Sequence, residues 1–202
     1  HEHELEAGEQ PGIQQQFIYS DGFGRVIQTK IRTAPGEQTG ANEPSPRWKG
    51  SGWVIFNNKG KPVRQYEPFF SGTHKFEFGV KTGVSPVVFY DPLGREIAVL
   101  YPNHTYEKTI FDPWRKITFD TNDTSAPHGT ETGDPRTDPD IRGFVAAYLE
   151  MGTDASWRTW YEQRRHGDMG APEQTAAVKA SAHADTPTTI YFDSLGRPFL
   201  TL

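Results

Sequence analysis

The chain has 202 residues, with 26 acidic and 21 basic side chains and a formal net charge of −5. This balance argues against a nucleic-acid-binding surface, and the lack of cysteine excludes disulfides and sulfur-bound zinc. No apolar run approaches the ~20 residues that cross a bilayer, and the charged first residues lack a signal-peptide pattern, so we expect no direct membrane insertion.

The first predicted element is a β-hairpin whose turn begins with Asp21 and has Gly24 in its fourth position. Strands over 13–20 and 25–32 flank this turn. In the second strand apolar or β-branched residues alternate with polar ones, which predicts a half-buried antiparallel pair. Its two faces carry Ile27, Thr29 and Ile31, and Gln28 and Lys30.

A loop over 33–52 is predicted next, because glycine and proline interrupt the alternation there. Trp48 is expected to anchor the second half of this loop on a core. A second hairpin over 53–70 follows, with Asn57 and Gly60 in its turn. Four phenylalanines near its end are predicted to pack in the core: Phe69, Phe70, Phe76 and Phe78.

The clearest hairpin covers 87–101. Asp91 can cap the turn amides, Pro92 presets φ, and Gly94 accepts a left-handed conformation. A fourth, degenerate hairpin covers 106–119. Its turn begins at Asp112 and has an arginine in the place of the glycine.

After this hairpin the period of the apolar residues changes from two residues to about 3.6 residues, which predicts a helical insertion of about three helices. Asp138 is the expected N-cap of the first helix, and Gly152 its end. The apolar stripe of that helix is Ile141, Phe144, Val145, Tyr148 and Leu149. Helices over 154–166 and 172–184 follow, and the last carries a small-residue stripe suited to close approach: Ala176, Ala180 and Ala184.

The chain ends in a further hairpin, whose turn carries Asp193 and Gly196. The three predicted segments are hairpins over 1–125, a helical insertion over 126–187 and the start of another hairpin over 188–202. The first three turn glycines are 36 and 34 residues apart, which is typical of a repeating unit. We therefore predict a mainly β fold, an array of antiparallel β-hairpins with a helical insertion, cut from a longer array.

No sequence motif for catalysis or for a cofactor is present, so we predict neither an enzyme nor a bound cofactor. Asp134, Asp138 and Asp140 could bind a hard cation, but helix capping and turn formation explain Asp138 and Asp140 better. His1 and His3 could chelate a metal weakly, as any terminal His-x-His can. We treat that as incidental and predict no metal site.

The turn pattern resembles the Rhs, or tyrosine-aspartate, repeat, in which Tyr-Asp-x-x-Gly-Arg marks each hairpin. Residues 90–95 match it fully, and residues 192–197 match it with phenylalanine in place of tyrosine. The chain is more closely similar to the middle region of the B component of bacterial insecticidal toxin complexes. The stretches that carry this resemblance are 19–25, 52–62, 102–107, 111–115 and 183–187.

The resemblance implies a wall segment of a hollow β-shell that encloses a cytotoxic polypeptide. The implied partners are the rest of the same shell, the C component, the enclosed polypeptide and, indirectly, a pore-forming A component. The implied location is secreted, or associated with the bacterial cell surface. No catalytic role carries over to any residue of this chain.

Two alternatives remain open at this point. The chain could be a cell-surface adhesin or a carbohydrate-binding module, since the same repeat occurs in surface proteins. It could also be a glycosidase that uses acidic pairs such as Asp134 and Asp138, although no sequence feature favours that activity. We expect the isolated 202-residue chain to be marginally stable or to self-associate, because open sheet edges invite pairing.

Overall fold

The computed structural model describes residues 14–34, 46–152 and 156–202. Over these residues the chain forms twelve strands and three helices. The strands are β1 (Gln16–Ser20), β2 (Val26–Arg32), β3 (Trp48–Gly50), β4 (Val54–Phe56), β5 (Pro62–Gln65), β6 (Phe69–Ser71), β7 (Val87–Tyr90), β8 (Glu96–Leu100), β9 (Tyr106–Phe111), β10 (Arg115–Phe119), β11 (Thr188–Phe192) and β12 (Pro198–Thr201). The helices are α1 (Arg142–Gly152), α2 (Trp160–Arg165) and α3 (Ala171–His183). The predicted fold class, mainly antiparallel β with three helices, is confirmed.

The chain divides into two compact units. One comprises Gln65–Val84 and the chain up to Ile55, and the other comprises Phe56–Arg64 and Ser85–Leu202. The β4–β5 hairpin carries the chain out of the first unit and back into it. The predicted segment boundaries after residues 125 and 187 stay predictions.

The first unit contains a four-stranded sheet in the order β1-β2-β3-β6. β3 lies within the stretch predicted to be a loop, and the loop prediction is wrong over those three residues. The strand forms because Trp48 is buried and because Lys30 and Gly50 are register partners in the pairing of β2 with β3. Trp48 therefore anchors the core, as predicted. The loop residues 35–45 lie outside the described part of the chain.

The face of β2 that carries Gln28 and Lys30 is the buried one. Gln28 and Lys30 are 1% and 0% exposed, whereas Ile27 and Ile31 are only half-buried. The Gln28 amide donates to the Glu77 carbonyl at 3.0 Å and accepts from the Glu77 N–H at 2.9 Å, and Lys30 pairs with the Glu77 carboxylate. Burial of these polar side chains is possible because each has a partner.

Two of the four phenylalanines predicted to lie in the core are exposed. Phe69 is buried and Phe76 is partly buried, but Phe70 and Phe78 are exposed. Phe69 and Phe70 are consecutive in β6, and successive strand side chains point to opposite faces. The Phe70 ring lies under the Arg47 guanidinium at 3.8 Å instead.

The second unit contains a six-stranded sheet in the order β12-β11-β10-β9-β8-β7. Each strand pairs with the next one in the chain, so the sheet is a meander. Because the pairs are antiparallel, the turns β7–β8, β9–β10 and β11–β12 lie at one end of the sheet. The helices belong to the connection between β10 and β11, which leaves from the opposite end.

Helix α1 completes the core of the second unit. Val145 and Leu149 of the helix, with Ile141 directly before it, join four residues of the sheet: Val87, Ala98, Leu100 and Tyr106. The predicted apolar stripe is correct at these helix positions and wrong at Phe144, which is 45% exposed. The helix begins at Arg142, three residues after the predicted first helical residue, Pro139, because Asp138 lies in the preceding turn.

Helix α3 agrees with its predicted bounds, whereas helix α2 does not. α2 is much shorter than the predicted 154–166, although residues 153–155 lie outside the described chain. It begins with a capping box that the sequence analysis missed: Thr159 Oγ1 accepts from the Glu162 N–H, and Glu162 accepts from the Thr159 N–H, both at 3.1 Å. α3 lies within one residue of its predicted bounds. On it Ala177 is buried, while Ala176 and Ala180 are partly exposed.

Candidate functional site

The turn between β7 and β8 shows how the repeated motif works. Asp91 Oδ1 accepts from the Arg95 N–H at 2.8 Å, and Asp91 Oδ2 accepts from Arg95 Nε at 2.7 Å. In the backbone, the Gly94 N–H donates to the Asp91 carbonyl at 2.9 Å. Gly94 has a φ of +80° and the strand register shifts beside the turn, as in a three-residue hairpin loop closed by a bulge. One carboxylate thus fixes both the turn and the arginine.

All ten residues predicted to form hairpin turns lie between paired strands: Asp21, Gly24, Asn57, Gly60, Asp91, Pro92, Gly94, Asp112, Asp193 and Gly196. Asp21 and Asp193 repeat the Asp91 geometry, with arginine Nε at 2.7 Å and 2.8 Å from Oδ2. Asn57 makes only the backbone part, accepting from the N–H groups of Lys59 and Lys61 at 3.0 Å and 2.9 Å.

The turn at Asp112 differs from the prediction. Arg115 does not replace the glycine; the glycine position is deleted, and Arg115 takes the role of the motif arginine. Its Nε donates to Asp112 Oδ2 at 2.5 Å, and the Asp112 N–H donates to the Arg115 carbonyl at 3.0 Å. The β9–β10 register accordingly has no bulge, because the loop is one residue shorter.

The turn hydrogen bonds hold the pKa of each motif aspartate below its usual value. At Asp21 and Asp91 burial acts to raise the pKa, but hydrogen bonds from the motif arginine and the turn amides outweigh it. At Asp112 the Arg115 side chain is the main cause of the lowered pKa, and at Asp193 it is the Arg197 backbone N–H. The carboxylates are therefore ionised at neutral pH.

Two motif arginines also reach the next hairpin. The Arg95 guanidinium lies 4.4 Å from the ring centre of Phe111 at the end of β9, a cation–π distance. Arg115 is the register partner of Tyr191 in β11, and Tyr191 contributes, after Asp112, to the raised pKa of Arg115. The motif arginines of these turns therefore contact the neighbouring hairpin at this end of the sheet.

Large apolar residues project from the three turns at that end. They occupy the third position of each turn and are strongly exposed: Leu93 at 78%, Trp114 at 59% and Leu195 at 74%. Each turn is two strands away from the next, and neighbouring strands are ~4.8 Å apart. The three turns therefore form a row along this end of the sheet. We call these three residues the apolar rim.

The turn of the β4–β5 hairpin contacts the first turn of this row. Lys59 Nζ donates to the Pro92 carbonyl, and the Tyr90 hydroxyl donates to the Pro62 carbonyl at 2.9 Å. All four residues belong to the second unit. A hairpin turn of this repeat can therefore pack on the tip of another.

A buried charge cluster joins the helical insertion to the sheet. Lys108 Nζ on β9 is fully buried and contacts three carboxylates: Glu131 at 2.8 Å, Asp138 at 3.0 Å and Asp140 at 2.6 Å. The Tyr106 hydroxyl donates to Asp138 at 2.7 Å. The sequence predicted Asp138 as a helix cap and did not reveal this cluster, since the acidic partners lie 23 to 32 residues from Lys108 along the chain.

The cluster holds more negative than positive charge. Burial raises the pKa of Glu131 despite the nearby Lys108, and Asp138 and Asp140 raise it further. Glu131 Oε2 is buried and has no hydrogen-bond partner. The three carboxylates raise the pKa of Lys108 although burial opposes this, so the lysine remains a cation at the centre of the cluster.

Each of the three aspartates considered for a cation pairs with a basic side chain instead. Asp134 pairs with Arg136 at 2.6 Å, while Asp138 and Asp140 contact Lys108. Among the described residues no group of three or more histidine or acidic side chains could hold a metal ion, and His1 and His3 lie outside them. Within the same residues no helix is long and apolar enough to span a membrane.

Comparison with solved structures shows the fold. The chain is similar to the TcdB2-TccC3 crystal structure, with 22% identity and a TM-score of 0.58. It is similar to a Photorhabdus luminescens Tc holotoxin pore with the same identity and TM-score. For TcdB2-TccC3 without the hypervariable C-terminal region the identity is 23% and the TM-score is 0.58. In each case the match covers 93% of this chain and only 7% of the other. No protein-family model and no curated protein matches the chain.

Proposed function

We propose that the chain is a non-catalytic wall segment of a toxin-complex β-shell, built from Rhs-type hairpins, which encloses a cytotoxic polypeptide. The observation that carries this proposal is the meander of three hairpins with carboxylate–arginine turns, together with the fold it shares with TcdB2-TccC3. Its function would be containment. A continuous hydrogen-bonded sheet would separate the enclosed chain from solvent and proteases.

The two outer strands of the six-stranded sheet support a wall that extends beyond this segment. Among the described residues, no further strand pairs with the outer edge of β7 or of β12. Unpaired edges of this kind are templates for additional strands. Arg95 and Arg115, which bridge neighbouring hairpins, would hold the same alignment along a longer sheet.

The partners follow from the same proposal. The chain would contact the rest of its own shell, the C component and the enclosed polypeptide, and only indirectly a pore-forming A component. The complex would act outside the bacterium, secreted or held at the cell surface. These assignments rest on the shared fold and on the resemblance of the turn motifs.

Protease protection tests containment. The longer protein that carries this chain is assembled with its C component and a labelled polypeptide, and cleavage of that polypeptide by a broad-specificity protease is followed. The proposal predicts that the polypeptide is protected in the assembly and cleaved when it is free. Equal cleavage rates in the two states would contradict the proposal.

A further inference from the structure

A groove lies in the second unit, beside the end of the sheet that carries the helical insertion. It has two lobes of about 420 Å³ and 630 Å³, which share Asn122, Trp160 and Ala180. Both volumes fall within the ~300–1,000 Å³ usual for ligand sites. The predicted small-residue stripe of α3 lies here: Ala176 and Ala180 line the groove and keep it open.

Trp160 is held firmly at the centre of the groove. It is the first residue of α2, directly after the N-cap Thr159, and its backbone N–H donates to the His104 carbonyl at 3.4 Å. The Arg164 guanidinium covers its ring at 4.5 Å from the centre. A ligand would therefore stack on the opposite face of this indole.

Tyr101 adds a second aromatic ring in the smaller lobe. Burial raises the pKa of Tyr101, and the nearby Glu107 carboxylate raises it further. The phenol is thus protonated at neutral pH. Glu107 lines the same lobe and presents a carboxylate acceptor there.

The loop that carries Asn122 is fixed by other groups. Asp120 Oδ1 accepts from the Asn122 N–H at 2.7 Å, and Asp123 Oδ1 accepts from the N–H and hydroxyl of Thr186 at 3.1 Å and 2.8 Å. Within the described chain the Asn122 amide group and the Lys179 ammonium group have no hydrogen-bond partner. Both line the groove and are free to bind a ligand.

The chemistry of the groove selects among ligand classes. The carboxylates of Glu107, Asp120 and Asp123 disfavour phosphates and nucleic acids. The polar walls disfavour a purely apolar molecule, because its binding would leave their polar groups without partners. Aromatic rings combined with amide, carboxylate and ammonium groups suit a ligand that has an apolar face and many hydroxyls.

We propose that this groove binds a neutral oligosaccharide, with one pyranose ring on the free face of Trp160 and its hydroxyls hydrogen-bonded to Asn122 and Lys179. The proposal does not depend on the wall function. It would add saccharide recognition to a structural segment.

The test is a titration of the 202-residue chain with three probes, cellohexaose, chitohexaose and maltohexaose, followed by amide chemical shifts. At least one probe is expected to shift the amides around Asn122 and Trp160 in a saturable way. Asn122→Ala should weaken binding about fivefold, the effect of one lost hydrogen bond. Asn58→Ala, which changes an exposed asparagine outside the groove, should have no effect.

Trp160→Phe and Trp114→Phe provide a second matched pair. Only the first is expected to weaken binding, because Trp114 belongs to the apolar rim. If Trp160→Phe does not fold, the positions of the shifted amides and the affinity of Asn122→Ala are sufficient to test the proposal. No saturable shift with any of the three probes, or binding that Asn122→Ala leaves unchanged, would overturn the proposal.

Discussion

At the scale of single residues, the turns at Asp21, Asp91 and Asp193 depend on two chemical properties. A carboxylate accepts hydrogen bonds from two turn amides and one arginine, and a glycine takes a φ near +75° that a β-carbon makes costly. Neither property requires a distant partner. This is why the sequence alone located the turns at Asp21, Asp91 and Asp193.

Gly24→Ala should therefore destabilise the protein by about 1–2 kcal/mol, because alanine resists the left-handed conformation. Gly22→Ala is the matched control. A β-carbon added at either glycine would meet open space, but only Gly24 has a positive φ. Urea unfolding measures both variants, and an equal loss of stability in the two would refute the conformational explanation.

Glu131 gives the protein a pH dependence. Because folding raises the pKa of Glu131 above its usual 4.5, the folded state binds a proton more tightly than the unfolded chain. The free energy of unfolding should thus rise as the pH falls through the raised pKa of Glu131 towards 4.5. At lower pH the turn aspartates, whose pKa values are lowered from 3.8, act in the opposite direction and stability is lost.

Glu131→Gln should abolish this rise above pH 4.5, because the variant has no carboxylate to titrate at that position. Glu150→Gln, an exposed change on α1, is the control and should keep the pH profile of the original chain. Denaturant unfolding at several pH values measures the effect. A rise that persists in Glu131→Gln would assign it to another group.

At the scale of elements, the sequence could predict the features that depend on local patterns, but not those that depend on long-range contacts. The hairpins and α3 follow from turn chemistry and from helix start and stop signals, and they were located closely. The burial of Gln28 and Lys30 depends on Glu77, 47 to 49 residues away. Likewise the Lys108 cluster forms only when the insertion folds against β9, so a local pattern could not reveal it.

Helix α2 has six residues and no buried side chain, so its capping box should dominate its stability. Thr159→Ala is expected to cost about 1 kcal/mol, while Thr159→Ser keeps the capping oxygen and should cost less. Hydrogen exchange of the α2 amides, with urea unfolding, measures both changes. Equal exchange rates in the two variants would mean that the cap does not hold the helix.

At the scale of the whole molecule, the repeat produces a six-stranded sheet whose turns are linked at one end and whose two outer edges pair with no strand of the described residues. The motif arginines and the apolar rim occupy the end formed by the turns, and the helical insertion leaves from the other. This arrangement suits lateral addition of hairpins, because each new pair repeats the same turn and the same arginine contact. The central claim is that β7–β12 form part of a continuous wall.

Electron cryo-microscopy of the intact assembly that contains this chain tests that claim most directly. The account predicts strands paired to the outer edges of both β7 and β12, in a sheet that closes around density for an enclosed polypeptide. A map in which both edges face solvent, with the segment attached outside any cavity, would contradict it.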